Sequence, residues 1–255
     1  MSDTALRVSD AVLRFGGIRA VDGITFDVEP ATTFGVVGPN GAGKTALLNC
    51  ISGVYHLQSG EVHVFGQPVT GHRPDHIAAM GVARTFQSTE HFKEFRVVDY
   101  LLLGRVNHLP ASVLGSTVAW PLMERAERRE RAAMMGVLEQ LGLSAYAQES
   151  LAELPYGVQK RVDIARAIAA EPRLVLLDEP TSGTTSSERG PISDAIRLIA
   201  AAGVTVVMVD HDVDFVSRHC GRLLVMNFGK PIGVGTPHEM LQRADVSEAF
   251  LGVTI

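Results

Sequence analysis

Apolar positions along the chain follow two rhythms. Residues 33–37, 174–177 and 204–209 form short β-branched runs that are apolar at nearly every position, as expected of strands buried on both faces of a parallel sheet. They alternate with longer stretches at helical spacing, which predicts an α/β core. Earlier runs at 6–8, 24–28 and 61–65, separated by Gly and Asp, read instead as an antiparallel β region lying beside that sheet. Strand signals vanish between about 97 and 142, and residues 124–141 are rich in Arg, Glu, Ala and Leu, so a helical insertion is predicted within one continuous core. Gly115, Ser116 and Pro121 mark 111–121 as a loop. The mixed-sign run 124–131 predicts a solvated helix face.

Composition narrows the partners. With 46% hydrophobic and 20% charged residues in a chain of 255, there is enough apolar side chain for a large core. A net charge of −5 offers no basic excess for a phosphate backbone, so no nucleic-acid partner is expected. Cys50 and Cys220 are too few for a disulfide framework and lack metal-ligand spacing, which fits a reducing compartment. An early acid and no apolar stretch behind it make residues 1–7 unlike a secretory signal, and a cytoplasmic chain is expected. Residues 195–209, the most apolar region, are broken by Arg197 and Gly203 and fall short of the roughly 20 apolar residues that cross a bilayer. Any transport role therefore requires other chains.

The first candidate chemistry is a phosphate cradle. Gly38, Pro39, Asn40, Gly41, Ala42, Gly43, Lys44 and Thr45 fill the pattern Gly, four residues, Gly-Lys-Thr, after a predicted strand and before a predicted helix. A glycine-rich turn can simply join strand to helix, but the whole pattern in this context points to a nucleoside triphosphate. Gly41 and Gly43 let the backbone turn its N–H groups around a triphosphate, and the helix start near Lys44 adds its positive dipole end. Lys44 is expected to reach the β- and γ-phosphates, and the Thr45 hydroxyl to ligate Mg²⁺. Ala46 follows, without a hydroxyl for the α-phosphate.

The second candidate is the pair Asp178 and Glu179, which ends the run 174–177 where ligands of parallel sheets sit. Such a pair alone is more often a helix cap or a solvated turn; following a phosphate cradle, it reads as a magnesium partner (Asp178, through water) and a base or water-positioning group (Glu179). His211, after the strand at 204–209 and Asp210, can be an ordinary histidine or a γ-phosphate sensor.

The run Leu154-Pro155-Tyr156-Gly157-Val158-Gln159-Lys160-Arg161 and its continuation to Ala167 resembles the signature region of ABC transporter ATPases, and Gln87 in Ala83-Arg84-Thr85-Phe86-Gln87 matches their Q-loop. The likeness extends from about residue 6 to 252. It implies a P-loop NTPase core of the ABC ATPase type, with an antiparallel β subdomain (together 1–96 and 154–255) and an inserted helical subdomain (about 97–153). It also implies that His211 is the switch histidine, that Phe15 stacks on adenine, that Gln87 joins Thr45 and Asp178 at the metal, and that Tyr156, Gly157 and Gln159 face the nucleotide of a partner ATPase.

Leu-Pro-Tyr-Gly, the Ala-Arg-Thr-Phe-Gln run, the helical insertion and residues 248–252 are similar to the larger ATPase subunit of branched-chain amino-acid importers. That resemblance implies a second, related ATPase subunit, two transmembrane permease subunits and, indirectly, an extracytoplasmic amino-acid-binding protein, with this chain peripheral on the cytoplasmic face of the membrane. Three departures stand out: Pro155 at the usual signature serine, a departure that subfamily shares; Val158 at a position often occupied by glutamine; and Thr184-Thr185 where the D-loop carries an apolar residue and an acid or amide. With Ala46, the D-loop departure keeps open a weakly hydrolysing regulatory subunit; a soluble ABC ATPase outside transport is a further alternative.

Overall fold

The structure is a computed structural model that describes residues 4–86, 90–108 and 120–251. Two compact units divide the chain: the first draws on Met1–Arg84, Arg173–Ser182 and Ile196–Ile255, the second on Thr85–Pro172 and Gly183–Ala195.

The first unit holds two sheets. In one, β1 (Leu6–Phe15) pairs antiparallel with β2 (Ile18–Val28) and with β4 (Ser59–Val64), which carries the short β5 (Gln67–Pro68) at its edge. Burial along β1 starts on Leu6 and Val8 and resumes on Ala11 and Leu13, a change from even to odd positions. The register shifts between Val8 and Ala11, where Asp10 has a φ of 46°. This bulge absorbs the odd residue, so the same face of the strand stays on the core.

The second sheet has the order β10-β9-β3-β8-β7-β6. Its strands β3 (Thr33–Val37), β6 (Val82–Arg84), β7 (Leu174–Asp178), β8 (Thr205–Val209) and β9 (Arg222–Asn227) run parallel, and β10 (Lys230–Gly235) closes the edge antiparallel to β9. Every residue of β7 and β8 is buried, in keeping with their unbroken apolar runs. The helix α1 (Lys44–Ile51) follows β3, and α2 (Pro74–Ala79) precedes β6. Leu47, Leu48 and Ile51 of α1 enter a core that also holds Leu6, Ile24, Leu174, Leu176 and Val207.

The second unit is helical, with α3 (Val97–Leu102), α4 (Trp120–Gln140) and α5 (Tyr156–Ala169). Its buried residues include Leu101, Met134, Leu138, Leu143 and Leu151. Tyr100 of α3 donates to Asp163 of α5 at 2.8 Å, and Arg166 Nε reaches the same carboxylate oxygen at 3.0 Å. Trp120 and Pro121 begin a helix where a loop is expected; residues 111–119 lie outside the described residues. The charged run on α4 is only partly solvated. Glu127, Arg128 and Arg129 are exposed, whereas Glu130 accepts from Arg105 at 2.6 Å and Arg131 pairs with Asp99 at 2.8 Å.

The helix α6 (Ser186–Ala201) begins in the second unit and ends in the first. The chain then finishes on α7 (Val213–His219), α8 (Pro237–Leu241) and α9 (Ala244–Leu251). Among the described residues, no helix is long and apolar enough to cross a membrane.

Candidate functional site

Because β3, β8 and β7 are neighbours and run parallel, the residues that follow them emerge side by side at one sheet edge. The loop after β3 bends into α1 through Gly41 and Gly43, with φ of 80° and 98°, a region L side chains rarely adopt. At Gly43 a β-carbon would lie 2.0 Å from the Ala20 carbonyl oxygen, so this glycine is also required by close approach. The loop lines a hollow with Asn40, Ala42, Lys44, Thr45, Ala46 and Glu179, and the N-terminus of α1 opens onto it. Exposed N–H groups and a helix dipole make such a hollow an anion site.

Lys44 is buried and donates to the carbonyls of Gly38 at 2.7 Å and Pro39 at 3.0 Å. Burial lowers its pKa, and the carboxylates of Glu179, Asp210 and Asp178 oppose that shift. Thr45 Oγ1 stands 3.5 Å from Asp178 Oδ1. A hydroxyl and a carboxylate oxygen converging from β3–α1 and from β7 form the kind of hard-oxygen pair that suits Mg²⁺. Gln87, the third expected metal contact, lies outside the described residues.

Glu179 is half-buried with a φ of 46°, and its N–H donates to Val209 O at 2.8 Å. A non-glycine residue in the left-handed region costs about 1–3 kcal/mol; here the hydrogen bond across to β8 holds the turn that delivers the acid to the hollow. After β8, Asp210 is fully buried. One of its oxygens accepts the Thr181 N–H at 3.1 Å and hydroxyl at 2.7 Å, the other the N–H groups of His211 at 2.7 Å and Asp212 at 3.1 Å. His211 Nδ1 lies 3.3 Å from the second oxygen. That contact favours a proton on Nδ1 of the half-exposed ring, shared with the Asp210 carboxylate.

Phe15 ends β1 with its ring 48% exposed and Tyr55 set edge-on to it at 5.1 Å. The Gln58 amide brackets the neighbouring residue, accepting from Arg14 N at 2.6 Å and donating to Arg14 O at 3.0 Å, so the loop carrying Tyr55 is pinned to the end of β1.

The signature residues belong to the second unit. Pro155 is the residue before α5, Tyr156 is 46% exposed, and Gly157 donates its N–H to Glu188 at 3.0 Å. The Gln159 amide donates to Leu154 O at 2.9 Å. Glu188 also accepts the N–H and hydroxyl of Thr185, each at 2.8 Å, and these three donors hold its carboxyl below the usual range.

Sequence reasoning did not single out Asp210, Thr181, Glu188, Tyr55 or Arg84. Asp210 and Arg84 stand within motifs that were noticed for His211 and Gln87, but their partners lie 29 and 94 residues away, which no local pattern reveals.

The model of the family described as "ABC transporter" matches residues 21–182. The chain is 36% identical over 253 residues to the high-affinity branched-chain amino acid transport ATP-binding protein BraF of Pseudomonas aeruginosa, and 34% identical over 255 residues to the corresponding protein LivG of Escherichia coli, with 99% of each chain covered in both cases. The ADP conformation of MJ1267, an ATP-binding cassette of an ABC transporter, superposes with a TM-score of 0.85 at 28% identity, covering 98% of this chain and 99% of that one. Family, full-length relatives and fold agree: this chain belongs to the ABC transporter family, as one of its ATP-binding and ATP-hydrolysing subunits.

Proposed function

We propose that this chain energises an importer of branched-chain or other hydrophobic amino acids, binding ATP in the loop around Lys44 and hydrolysing it with Glu179. The observation that carries the reading is the convergence of Lys44, Thr45, Asp178, Glu179 and the Asp210–His211 pair on adjacent strand ends of one sheet. Phosphoryl transfer depends on positioning and charge stabilisation. The backbone N–H groups of residues 40–46, which line the hollow, surround the phosphates, and Lys44 compensates their charge. Phe15 offers its exposed ring to the adenine, a contact that tolerates any base.

Thr45, Asp178 and Gln87 would hold Mg²⁺, which supplies charge neutralisation at the β- and γ-phosphates. Glu179 orients a water behind the γ-phosphate and takes up its proton, and His211 serves as the γ-phosphate sensor. Tyr156, Gly157 and Gln159 would meet the nucleotide of a second, related ATPase subunit. The complex would also contain two transmembrane permease subunits on whose cytoplasmic face this chain sits, served by an extracytoplasmic amino-acid-binding protein. Within the chain, 1–96 with 154–255 would act as the nucleotide-binding part and 97–153 as the helical part that addresses the permease.

Replacing Glu179 with Gln tests the assignment. Hydrolysis should fall by about 10²–10⁴-fold while ATP binding persists; an unchanged turnover would remove Glu179 from its role. A weakly hydrolysing regulatory subunit is the second reading, favoured by Ala46, which packs on the core without a hydroxyl, and by Thr185, whose polar groups are spent on Glu188. The ATPase rate of the assembled complex separates the two, since transport-stimulated turnover contradicts the regulatory reading. Screening the co-purified binding protein against an amino-acid panel tests the cargo.

A further inference from the structure

We propose that Arg84 is a positioning residue for the Asp178 carboxylate and thereby sets how strongly magnesium tightens nucleotide binding. The proposal rests on the reading of Asp178 as the magnesium partner.

Arg84 is the last residue of β6, which pairs in parallel with β7. Its Nη2 donates to Asp178 Oδ2 at 2.8 Å, and its Nη1 donates to Asn49 Oδ1 at 2.6 Å and to Ser52 Oγ at 2.9 Å. The Asp178 side chain has no exposed surface and that of Arg84 only 19%. The pair is therefore a charge-assisted contact largely out of water, where geometry is held more tightly than at the surface.

The division of labour between the two carboxylate oxygens carries the inference. Oδ2 is taken by Arg84, and Oδ1 faces the Thr45 hydroxyl at 3.5 Å. Asn49 stands one helical turn beyond Thr45 on α1, and Ser52 follows directly at the end of that helix. A single guanidinium thus ties the end of β7 to the helix that carries Thr45, fixing the carboxylate relative to the hydroxyl. Only a planar fork reaches acceptors in several directions at once; a lysine ammonium offers the same charge from one point. Groups that orient a metal's carboxylate ligand are worth about 10–100-fold in metal affinity.

Charge alone predicts a different outcome. If Arg84 acted only as a positive charge among Lys44, Asp178, Glu179 and Asp210, a lysine would serve equally well. Positioning requires the fork.

The test measures the affinity of the purified chain for a fluorescent ATP analogue in EDTA and in excess MgCl₂, the ratio being the magnesium gain. Arg84→Lys and Arg84→Met should each lower the gain by about 10–100-fold, with the affinity in EDTA changed much less for Arg84→Lys. Asn49→Ala with Ser52→Ala keeps the ion pair but cuts its anchor on α1, and should lower the gain in the same direction; this variant keeps the proposal testable if the Arg84 variants do not fold. A wild-type gain in Arg84→Lys or in the Asn49/Ser52 variant overturns the proposal. Asp178→Asn separates this from failure of the underlying reading: loss of the gain in Asp178→Asn with retention in Arg84→Lys refutes only the role of Arg84, whereas an unchanged gain in Asp178→Asn refutes the magnesium assignment itself.

Discussion

Asp210 ties together two loops that belong to different strands. Its oxygens accept four N–H and hydroxyl donors from Thr181, His211 and Asp212, and Thr181 lies two residues past Glu179. Replacing Asp210 with Asn turns one acceptor into a donor and leaves buried N–H groups unmatched, at about 1–3 kcal/mol. Urea unfolding should register that loss, and ATP turnover should fall as well because both Glu179 and His211 are displaced; full activity in a destabilised variant would confine Asp210 to the fold. The glycines make a contrasting pair. Gly41→Ala meets no atom within 4 Å and carries only the conformational cost of a positive φ, about 1–3 kcal/mol. Gly43→Ala adds a collision with the Ala20 carbonyl and should destabilise more, a ranking that denaturation of the two variants checks directly. Gly41, Gly43 and Lys44 were legible in the sequence because their chemistry is set by backbone conformation within eight residues. Asp210 and Arg84 were not, because Thr181 for the one and Asp178, Asn49 and Ser52 for the other come from distant parts of the chain.

Elements were legible to the extent that burial is one-sided or complete. β7 and β8 are buried throughout and apolar except at Asp178 and Thr205 because both faces are covered, and the runs at 174–177 and 204–209 reflect this. The change of phase in β1 at Asp10 breaks the period-2 pattern, so the sequence suggested only a short run at 6–8 where a ten-residue strand exists. On α4 the sign pattern gave helix but not partners, since Glu130 and Arg131 answer Arg105 and Asp99 from elsewhere in the chain. The N-terminus of α5 shows the same limit. Pro155 cannot cap it by side chain, and Glu188 from α6 accepts the Gly157 N–H instead. The Glu188 carboxyl is held low by the Thr185 N–H, the Thr185 hydroxyl and the Gly157 N–H. A depressed folded-state value means that the contact stabilises fully above the unfolded value of about 4.3, and that this stability is lost as pH falls through the lower folded value. Glu188→Gln should therefore flatten the acid side of the stability profile below about pH 4.3, leaving its shape near neutrality alone. Acid titrations of wild type and variant, followed by circular dichroism, would refute the assignment if the two curves kept the same slope.

At the scale of the whole molecule, fold class was readable because a phosphate loop, an acid-ended strand and a histidine-ended strand recur in one order along the chain. The extent of the second unit was not readable, since it takes Gly183–Ala195 from beyond β7, and nothing in the local pattern of α6 marks a change of unit at Ile196. This helix gives the two units one continuous element, which bears on how the molecule unfolds. A ligand that binds only the native state stabilises it by RT ln(1 + [L]/Kd), about 2.7 kcal/mol at a hundredfold excess over Kd. For a chain of this size, each kcal/mol is worth about 2–4 °C, so saturating Mg-ATP should raise the melting temperature by roughly 5–10 °C. The loop around Lys44 belongs to the first unit and the sole tryptophan, Trp120, to the second, so the tryptophan fluorescence can be compared with the dichroism of the whole chain. If α6 couples the units, the fluorescence of Trp120 and the far-ultraviolet dichroism should shift together on adding nucleotide, and Lys44→Ala should cancel both shifts. A dichroism transition that moves while the tryptophan transition stays fixed would mean that the units unfold independently despite the shared helix, and that nucleotide binding stabilises only the first.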